Sequence, residues 1–292
     1  MDFFSRVTSL FSSQGTDINA RFVLLREAIS GTMSKFHMAR DKTTDKIVGL
    51  KLLDPEKTTQ FEGRFTGLQK PSEGQIALAL KHPRIVDTLE AGTGTDGRQY
   101  IVMEFLDGPG LNSLIVAKEK RLDGKRMELI RQMCDSVQFV HDQGYLHRDI
   151  CPRNFIASKD LNSIKLIDFG LTVPAQGKFL EPGNRTGTPS YMAPEIVRRR
   201  PTDLRVDVFA LGATIYHLCC FELPWPTQDL TGKAAMQHDL TPAVPILTVR
   251  PNLNPTLAEA IMASVAREPN DRPPSVKEFA RMIRKVTHEF EK

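Results

Sequence analysis

His147-Arg148-Asp149-Ile150-Cys151-Pro152-Arg153-Asn154, followed later by Asp168-Phe169-Gly170, decides how this chain is read. Asp149 and Asn154 stand five positions apart on one loop, so both side chains can face one site. Between Asn154 and Asp168 runs FIASKDLNSIKLI, two apolar runs about a polar turn, which predicts a hairpin. Taken singly, each Asp or Asn is most simply a turn cap. Taken together, three oxygen-bearing side chains delivered by one loop and one hairpin point to a common chemical purpose. A third stretch comes later: Gly187-Thr188-Pro189-Ser190-Tyr191-Met192-Ala193-Pro194-Glu195.

Upstream, FVLLREAI, KFHMAR and KIVGLKLL are separated by Ser-Gly-Thr and Asp-Lys-Thr-Thr-Asp, which predicts a three-stranded meander over 21–53. A polar stretch then ends at Pro71-Ser72-Glu73. Pro71 stops any helix across 60–80, and Ser72 can cap one that continues through Ile76, Leu78 and Leu80. RIVDTLEAG and RQYIVMEFL read as two more strands. After Asp107-Gly108-Pro109-Gly110 the texture turns helical. Residues 127–143 carry Met127, Ile130, Met133, Cys134, Val137 and Val140 at helical spacing and stop at Gly144. Further helices are expected over 206–220, 255–266 and 275–290. The layout is α+β: an N-terminal extension over 1–20, a small lobe over 21–106 with a five-stranded antiparallel sheet plus one helix, and a larger, mainly helical lobe over 107–292. In the extension, Phe3, Phe4, Val7, Leu10 and Phe11 fall on one face of a short helix. Packing on the domain body explains that face better than a membrane surface, because an interfacial helix carries Lys and Arg on its polar side.

The chain has 292 residues. A compact chain of this size buries about 75% of its unfolded surface and needs no disulfide staples. Lys and Arg total 39 against 35 Asp and Glu, a net charge of +4. With no like-charge run longer than Arg198-Arg199-Arg200, this argues against nucleic acid or an anionic membrane as partner. Cys134, Cys151, Cys219 and Cys220 lack metal-ligand spacing, which predicts reduced thiols and a cytoplasmic location. The start, MDFFSRVTSLFSSQ, has no secretory pattern. Residues 206–225 are the most apolar long stretch, but Asp207, His217, Glu222 and Pro224 interrupt it. It reads as a buried helix, and no transmembrane segment is expected. Nothing in the pattern specifies an oligomeric state.

In these motifs and their order, the sequence resembles the eukaryotic-like protein kinases, bacterial or eukaryotic, and the serine/threonine kinases in particular. The likeness runs from about Arg21 to about Thr287 and implies the bilobal protein-kinase-like fold. It implies phosphoryl transfer from ATP to Ser or Thr hydroxyls of proteins, with Mg²⁺ or Mn²⁺ on the phosphates. Asp168 is a hard oxygen ligand for the metal, and Asn154 offers a carbonyl oxygen to a second ion. Asp149 would accept the hydrogen of the acceptor hydroxyl. Lys51, ending V-G-L-K, would contact the α- and β-phosphates and pair with Glu73 of EGQIALALKHP. Adenine would exchange hydrogen bonds with the hinge Met103-Glu104-Phe105-Leu106, Met103 standing behind the base as well as in the core. Thr188 would hydrogen-bond near Asp149, Glu195 would pair with Arg272, and Asp207 would bond backbone N–H groups of the 147–154 loop. Thr172, Thr186 and Thr188 offer hydroxyls within 168–195, and a phosphothreonine there would pair with Arg148, although Thr186 reads more simply as a plain loop residue. Trp225 and Tyr216 read as core.

Two features depart from the family pattern. The phosphate-covering G-x-G-x-x-G reads Ile29-Ser30-Gly31-Thr32-Met33-Ser34, where only Gly31 survives. Ile29 and Gly31 remain as the expected nucleotide cover, but the Cβ atoms of Ile29 and Ser34 restrict close approach. Phe36 replaces the usual small Val. Cys151 stands where serine/threonine kinases place Lys, and Arg153 is the cation expected to stabilise the developing charge in its stead. The principal reading is an active protein serine/threonine kinase. The alternative is a pseudokinase, an ATP-binding scaffold, which the poor glycine loop and Cys151 favour and Lys51, Asp149, Asn154 and Asp168 oppose. Phosphorylation of a small molecule is disfavoured by 188–195, which resembles the peptide-docking part of protein kinases.

Overall fold

The computed structural model describes residues 15–26, 29–30, 33–183, 186–225, 236, 238 and 240–290, with the backbone alone at 29–30. These residues form two compact units that part between Asp107 and Gly108. The helix expected over 3–11, and Gly31, lie outside the described residues.

In the first unit, Asp17 caps α1 (Ile18–Arg21) by accepting a hydrogen bond from the Ala20 N–H at 2.9 Å. β1 (Phe22–Leu24) and β2 (Ile29–Ser30) both pair antiparallel with β3 (Ser34–Asp41), so the first expected strand is one sheet position broken in the middle. β4 (Lys46–Leu53), β5 (Thr88–Thr93) and β6 (Gln99–Glu104) complete the antiparallel sheet in the order β1–β3–β4–β6–β5. β4 is central, and it is buried from Val48 to Leu53 because the sheet has side chains packed on both faces there. On one face, Val48, Leu50 and Leu52 meet Ile18, Phe22 and Tyr100.

One helix of this unit was hidden in the polar stretch. α2 (Pro55–Glu62) starts where the Asp54 carboxylate accepts the Lys57 N–H at 3.1 Å and Pro55 supplies a preset helical φ. Its apolar anchor is Phe61, edge-on to Phe65 at 5.4 Å. α3 (Glu73–Ala79) begins immediately after Pro71-Ser72, as expected. Ser72 Oγ accepts the Gln75 N–H at 3.3 Å, and the Gln75 side chain accepts the Ser72 N–H at 2.8 Å, closing a capping box.

The second unit is built on helices. α4 (Leu111–Val116) leads to α5 (Arg126–Asp142), and then come two short strand pairs, β7 (Tyr145–Leu146) with β10 (Val173–Pro174) and β8 (Phe155–Ala157) with β9 (Ile164–Leu166). The β8–β9 pair is the hairpin expected from FIASKDLNSIKLI. α6 (Pro194–Val197), α7 (Arg205–Cys220), α8 (Ile246–Val249), α9 (Pro255–Ser264) and α10 (Val276–Met282) complete the unit. α7 is buried on nearly every side, as its apolar composition demands. Gly212 lets α9 approach it: a Cβ there would lie 2.5 Å from the Ser264 Cβ. Tyr216 and Trp225 are core residues. Among the described residues, no helix is long and apolar enough to cross a membrane.

The periodicity over 275–290 predicts a helix twice as long as α10. The helix stops at Met282 because tertiary partners claim residues 286–290. Arg131 donates to the Val286 carbonyl. The Glu289 carboxylate accepts the Gly124 N–H at 2.5 Å and lies 3.5 Å from the buried Arg126 guanidinium. Phe290 pairs with Leu253, and the guanidinium carbons of Arg126 and Arg250 stand 5.5 and 5.7 Å from its ring. Deeper in the unit, Arg272 forks onto Glu195 at 2.7 and 2.8 Å, with both side chains buried.

Removing one member of that pair strands a charge in the interior, at a cost of about 3–5 kcal/mol. Arg272→Gln is expected to lower the calorimetric unfolding midpoint by about 10 °C, and Glu195→Gln added to it to cost less than the two changes summed.

Candidate functional site

In the first unit the candidate residues gather on β4, β6 and α3. Lys51 ion-pairs with the Glu73 carboxylate, and both are buried, 5% and 7% exposed. Glu73 occupies the first turn of α3, where the helix dipole favours a carboxylate. The capping box therefore sets where Glu73 sits, and Glu73 sets where the Lys51 ammonium sits. Met103 is buried on β6, and β6 ends at Glu104, whose N–H donates to Asp87 O at 2.9 Å. Phe105 and Leu106 come next, outside any strand. Ile29 pairs with Phe36 in register.

Phe36, odd in the sequence, has a local reason. A Cβ at Gly49 would meet the Phe36 ring at 2.8 Å and Met103 Cγ at 3.0 Å. The aromatic ring occupies the space that a side chain at Gly49 would need, so the large residue on β3 and the absent one on β4 form one exchange of volume.

In the second unit, Asp207 is wholly buried. Its carboxylate accepts the His147 N–H at 2.8 Å and the Arg148 N–H at 2.9 Å, and His141 Nε2 lies 2.9 Å away. Burial works to raise this carboxyl, but the hydrogen bonds and neighbouring imidazoles hold it below the usual carboxylate range. Burial also keeps His147 neutral by pushing its imidazole down. The grip on two successive N–H groups turns the chain through a left-handed Arg148, φ 67°, and presents Asp149.

Asp149 is held on both oxygens. Oδ1 accepts the Thr188 N–H at 2.8 Å and the Thr188 hydroxyl at 2.7 Å. The Asn154 amide donates to Asp149 O at 2.7 Å and to Oδ2 at 3.1 Å. This orients the amide, and Asn154 Oδ1 takes no hydrogen bond among the described residues. Ile167 N–H donates to Asn154 O at 2.8 Å, so the hairpin sets Asp168 beside Asn154. Asp168 also takes a left-handed φ of 67°, and its Oδ1 accepts the Gly170 N–H at 3.0 Å. Phe169 is buried edge-on to His147 at 5.5 Å. Asn154 and Asp168 make a small all-oxygen set. Mg²⁺ is typically held by one or two carboxylates together with phosphate and water oxygens, so these residues fit that ion.

Arg153 is exposed and donates to the Thr188 hydroxyl at 3.1 Å. Cys151 is wholly buried, with Sγ 3.5 Å from that hydroxyl, and burial pushes its thiol up to about 11. It is a neutral packing residue. The four cysteines are all free and buried. Of the hydroxyls expected within 168–195, Thr172 and Thr186 are buried and Thr188 bonds Asp149, while the Arg148 guanidinium bonds Phe179 O at 2.5 Å. Sequence reading missed His141 beside Asp207, and also His217, whose Nδ1 lies 2.7 Å from Tyr191 Oη. Neither has a spacing signal; only the packing of α5 and α7 brings them to their partners.

The sequence profile of the protein kinase domain matches residues 25–288. Serine/threonine-protein kinase PknB of Mycolicibacterium smegmatis is 32% identical over 250 residues, covering 83% of this chain and 39% of that protein. Serine/threonine-protein kinase pkn3 of Myxococcus xanthus is 28% identical over 269 residues, covering 89% of this chain and 48% of that protein. This chain thus spans less than half the length of either relative.

Gly49→Ala is expected to destabilise the first unit by about 1–3 kcal/mol through overpacking against Phe36. Phe36→Val in the same chain should recover most of that loss, a coupling measured by urea unfolding of the two single variants and the double. Burial also brings the His217 imidazole from its ordinary 6.5 down to about 4. Its neutral form is favoured in the fold, so its share of stability is present above pH 6.5 and lost as the pH falls toward 4. Between pH 7.5 and 5.5 that share is about 1 kcal/mol. His217→Gln, whose side-chain amide can still hydrogen-bond to Tyr191, should reduce the pH dependence of urea unfolding by that amount.

Proposed function

The chain belongs to the protein kinase family, and on that premise we propose that it is a serine/threonine kinase domain that transfers the γ-phosphoryl group of ATP to Ser or Thr hydroxyls of proteins. The observation that carries this reading is the hub at Asp149. Thr188 occupies Oδ1 twice, which leaves Oδ2 the oxygen with room for an incoming hydroxyl. As the hydroxyl oxygen bonds to phosphorus and the bond to the ADP oxygen breaks, Asp149 takes the hydroxyl proton. Asn154 and Asp168 would hold Mg²⁺, or Mn²⁺ in its place. When bound, the metal would neutralise charge on the phosphates. Lys51 would hold the α- and β-phosphates, with Glu73 fixing its ammonium, and Met103, Glu104 and Leu106 would frame adenine beside Ile29 and Gly31. In this division residues 21–106 bind nucleotide, residues 107–292 carry the chemistry, and residues 1–20 are an extension.

Arg153 supplies the positive charge that Cys151 cannot. It already stands on the Thr188 hydroxyl, one hydrogen bond from Asp149, so a small side-chain rotation brings it to the transferring group. The names of the relatives support serine/threonine acceptors, and buried free thiols fit a cytoplasmic setting. A pseudokinase scaffold is the second reading, favoured by the neutral thiol at Cys151.

The test is transfer of label from ATP to casein in Mg²⁺. Asp149→Asn should lower the rate by about 10²–10⁴-fold. Arg153→Ala should lower turnover by about a hundredfold. Equal labelling by the native chain and Asp149→Asn would leave the scaffold, and labelled small molecules without labelled protein would indicate a metabolite kinase.

A further inference from the structure

In the second unit a cavity of about 340 Å³ opens between the stretch that follows α7 and the C-terminal end of α9. Trp225, Leu240, Pro242, Met262, Val265 and Arg267 are among its walls. The volume lies within the range of ligand sites and admits one large aliphatic or aromatic side chain. One wall is held firmly. The Trp225 indole N–H donates to Thr241 O at 2.9 Å, and its ring stands 4.3 Å from that of His238. His238 Nδ1 donates in turn to Met192 O at 2.8 Å, so this wall is tied to the segment whose Thr188 holds Asp149. Leu240, 74% exposed, presents an apolar side chain to water at the cavity's edge.

Arg267 also belongs to a charged surface. Glu268 accepts from Arg198 Nη1 at 2.9 Å, and Arg200 Nη1 and Arg267 Nε each lie 3.8 Å from one of its oxygens. Three guanidinium groups thus share this carboxylate. Positions 198–200 and 267–268 together hold four Arg and one Glu. Asp203, a little further on, is taken up by Arg205 at 2.6 Å. The Arg200 and Arg267 side chains are more than half exposed. Such a surface attracts anions. The cavity taken alone suits many apolar groups, and the arginines taken alone suit any anion. Side by side they select a segment that has both characters.

We propose that this cavity and its arginine rim dock an acidic segment of the acceptor protein. One large apolar side chain enters beside Trp225 and Met262, and the Asp or Glu residues next to it meet Arg200 and Arg267. The buried side chain supplies the anchor, and the charges supply steering and orientation. That the docked protein is the acceptor rests on the kinase reading; the binding itself does not. Docking raises the local concentration of the acceptor hydroxyl without touching the reacting atoms, so it acts on KM and leaves kcat alone.

The test uses the full chain and a fluorescein-labelled peptide, Glu-Asp-Glu-Leu-Glu-Asp, followed by anisotropy. Binding is expected to weaken about tenfold in Arg267→Glu, in Leu240→Asp, and when Ser replaces the Leu of the peptide, and to weaken further as salt rises. Joined by a flexible linker to a short Ser peptide drawn from casein, the same segment should lower KM about tenfold with kcat unchanged, and Arg267→Glu should abolish that gain. Urea midpoints of the two variants check that both still fold. The docking is overturned by absence of binding, by equal binding of a peptide with Lys at every acidic position, by folded variants that bind as the native chain does, or by a KM that joining the segment leaves unchanged. It is also overturned if sedimentation shows a second copy of the chain on this face that the peptide does not displace. A chain that binds the peptide and weakens in both variants but labels no acceptor keeps the docking surface and removes the kinase reading.

Discussion

A carboxylate shut away from water organises the second unit. An unpaired charge in Asp207's place would be prohibitively costly, so the fold surrounds it with two backbone N–H groups and an imidazole. Those partners fix consecutive residues of the loop and hold Arg148 in a conformation that costs a non-glycine residue about 1–3 kcal/mol. Everything downstream inherits that geometry: the Asp149 side chain leaves the turn toward Thr188, Asn154 locks it from below, and the β8–β9 hairpin carries Asp168 to the side of Asn154. The positions of Asp149, Asn154 and Asp168 are thus preorganised by a buried residue outside that cluster.

The first unit solves a similar problem with an ion pair. Lys51 and Glu73 are nearly as buried as Asp207, but they come from a strand and a helix that are otherwise joined by α2 and a glycine-bearing turn. Their meeting depends on where α3 starts, which Pro71, Ser72 and Gln75 settle together. The two units therefore place their charged residues by different means, a rigid buried acceptor in one and a helix cap in the other.

The parts legible in the sequence were those where chemistry restricts residue type. Asp149, Asn154, Thr188 and the Glu195–Arg272 pair stood out as motifs, and hydrogen bonds join Asp149 to Asn154 and Thr188, and Glu195 to Arg272. The sheet and α5 were legible from periodicity, and α7 from its long apolar run. α2 was not, because its core contact is a single Phe61; its start signal, Asp54-Pro55, was there but lay inside a polar run. α10 was overextended because periodicity cannot report that Arg131, Arg126 and Leu253 take residues 286–290 for themselves. Phe36 looked like a defect on its own strand and became intelligible only beside Gly49, thirteen positions away but in contact through the sheet.

The capture of Glu289 and Phe290 has a consequence for how the molecule is made. The Gly124 N–H, just before α5, finds its acceptor, and Arg126 its second carboxylate, only when residues 289 and 290 arrive, some 165 positions later. A ribosome releases the chain from its N-terminal side, and domains generally fold as units in that order. The second unit must wait with the base of α5 incompletely partnered until residues 289 and 290 have been made.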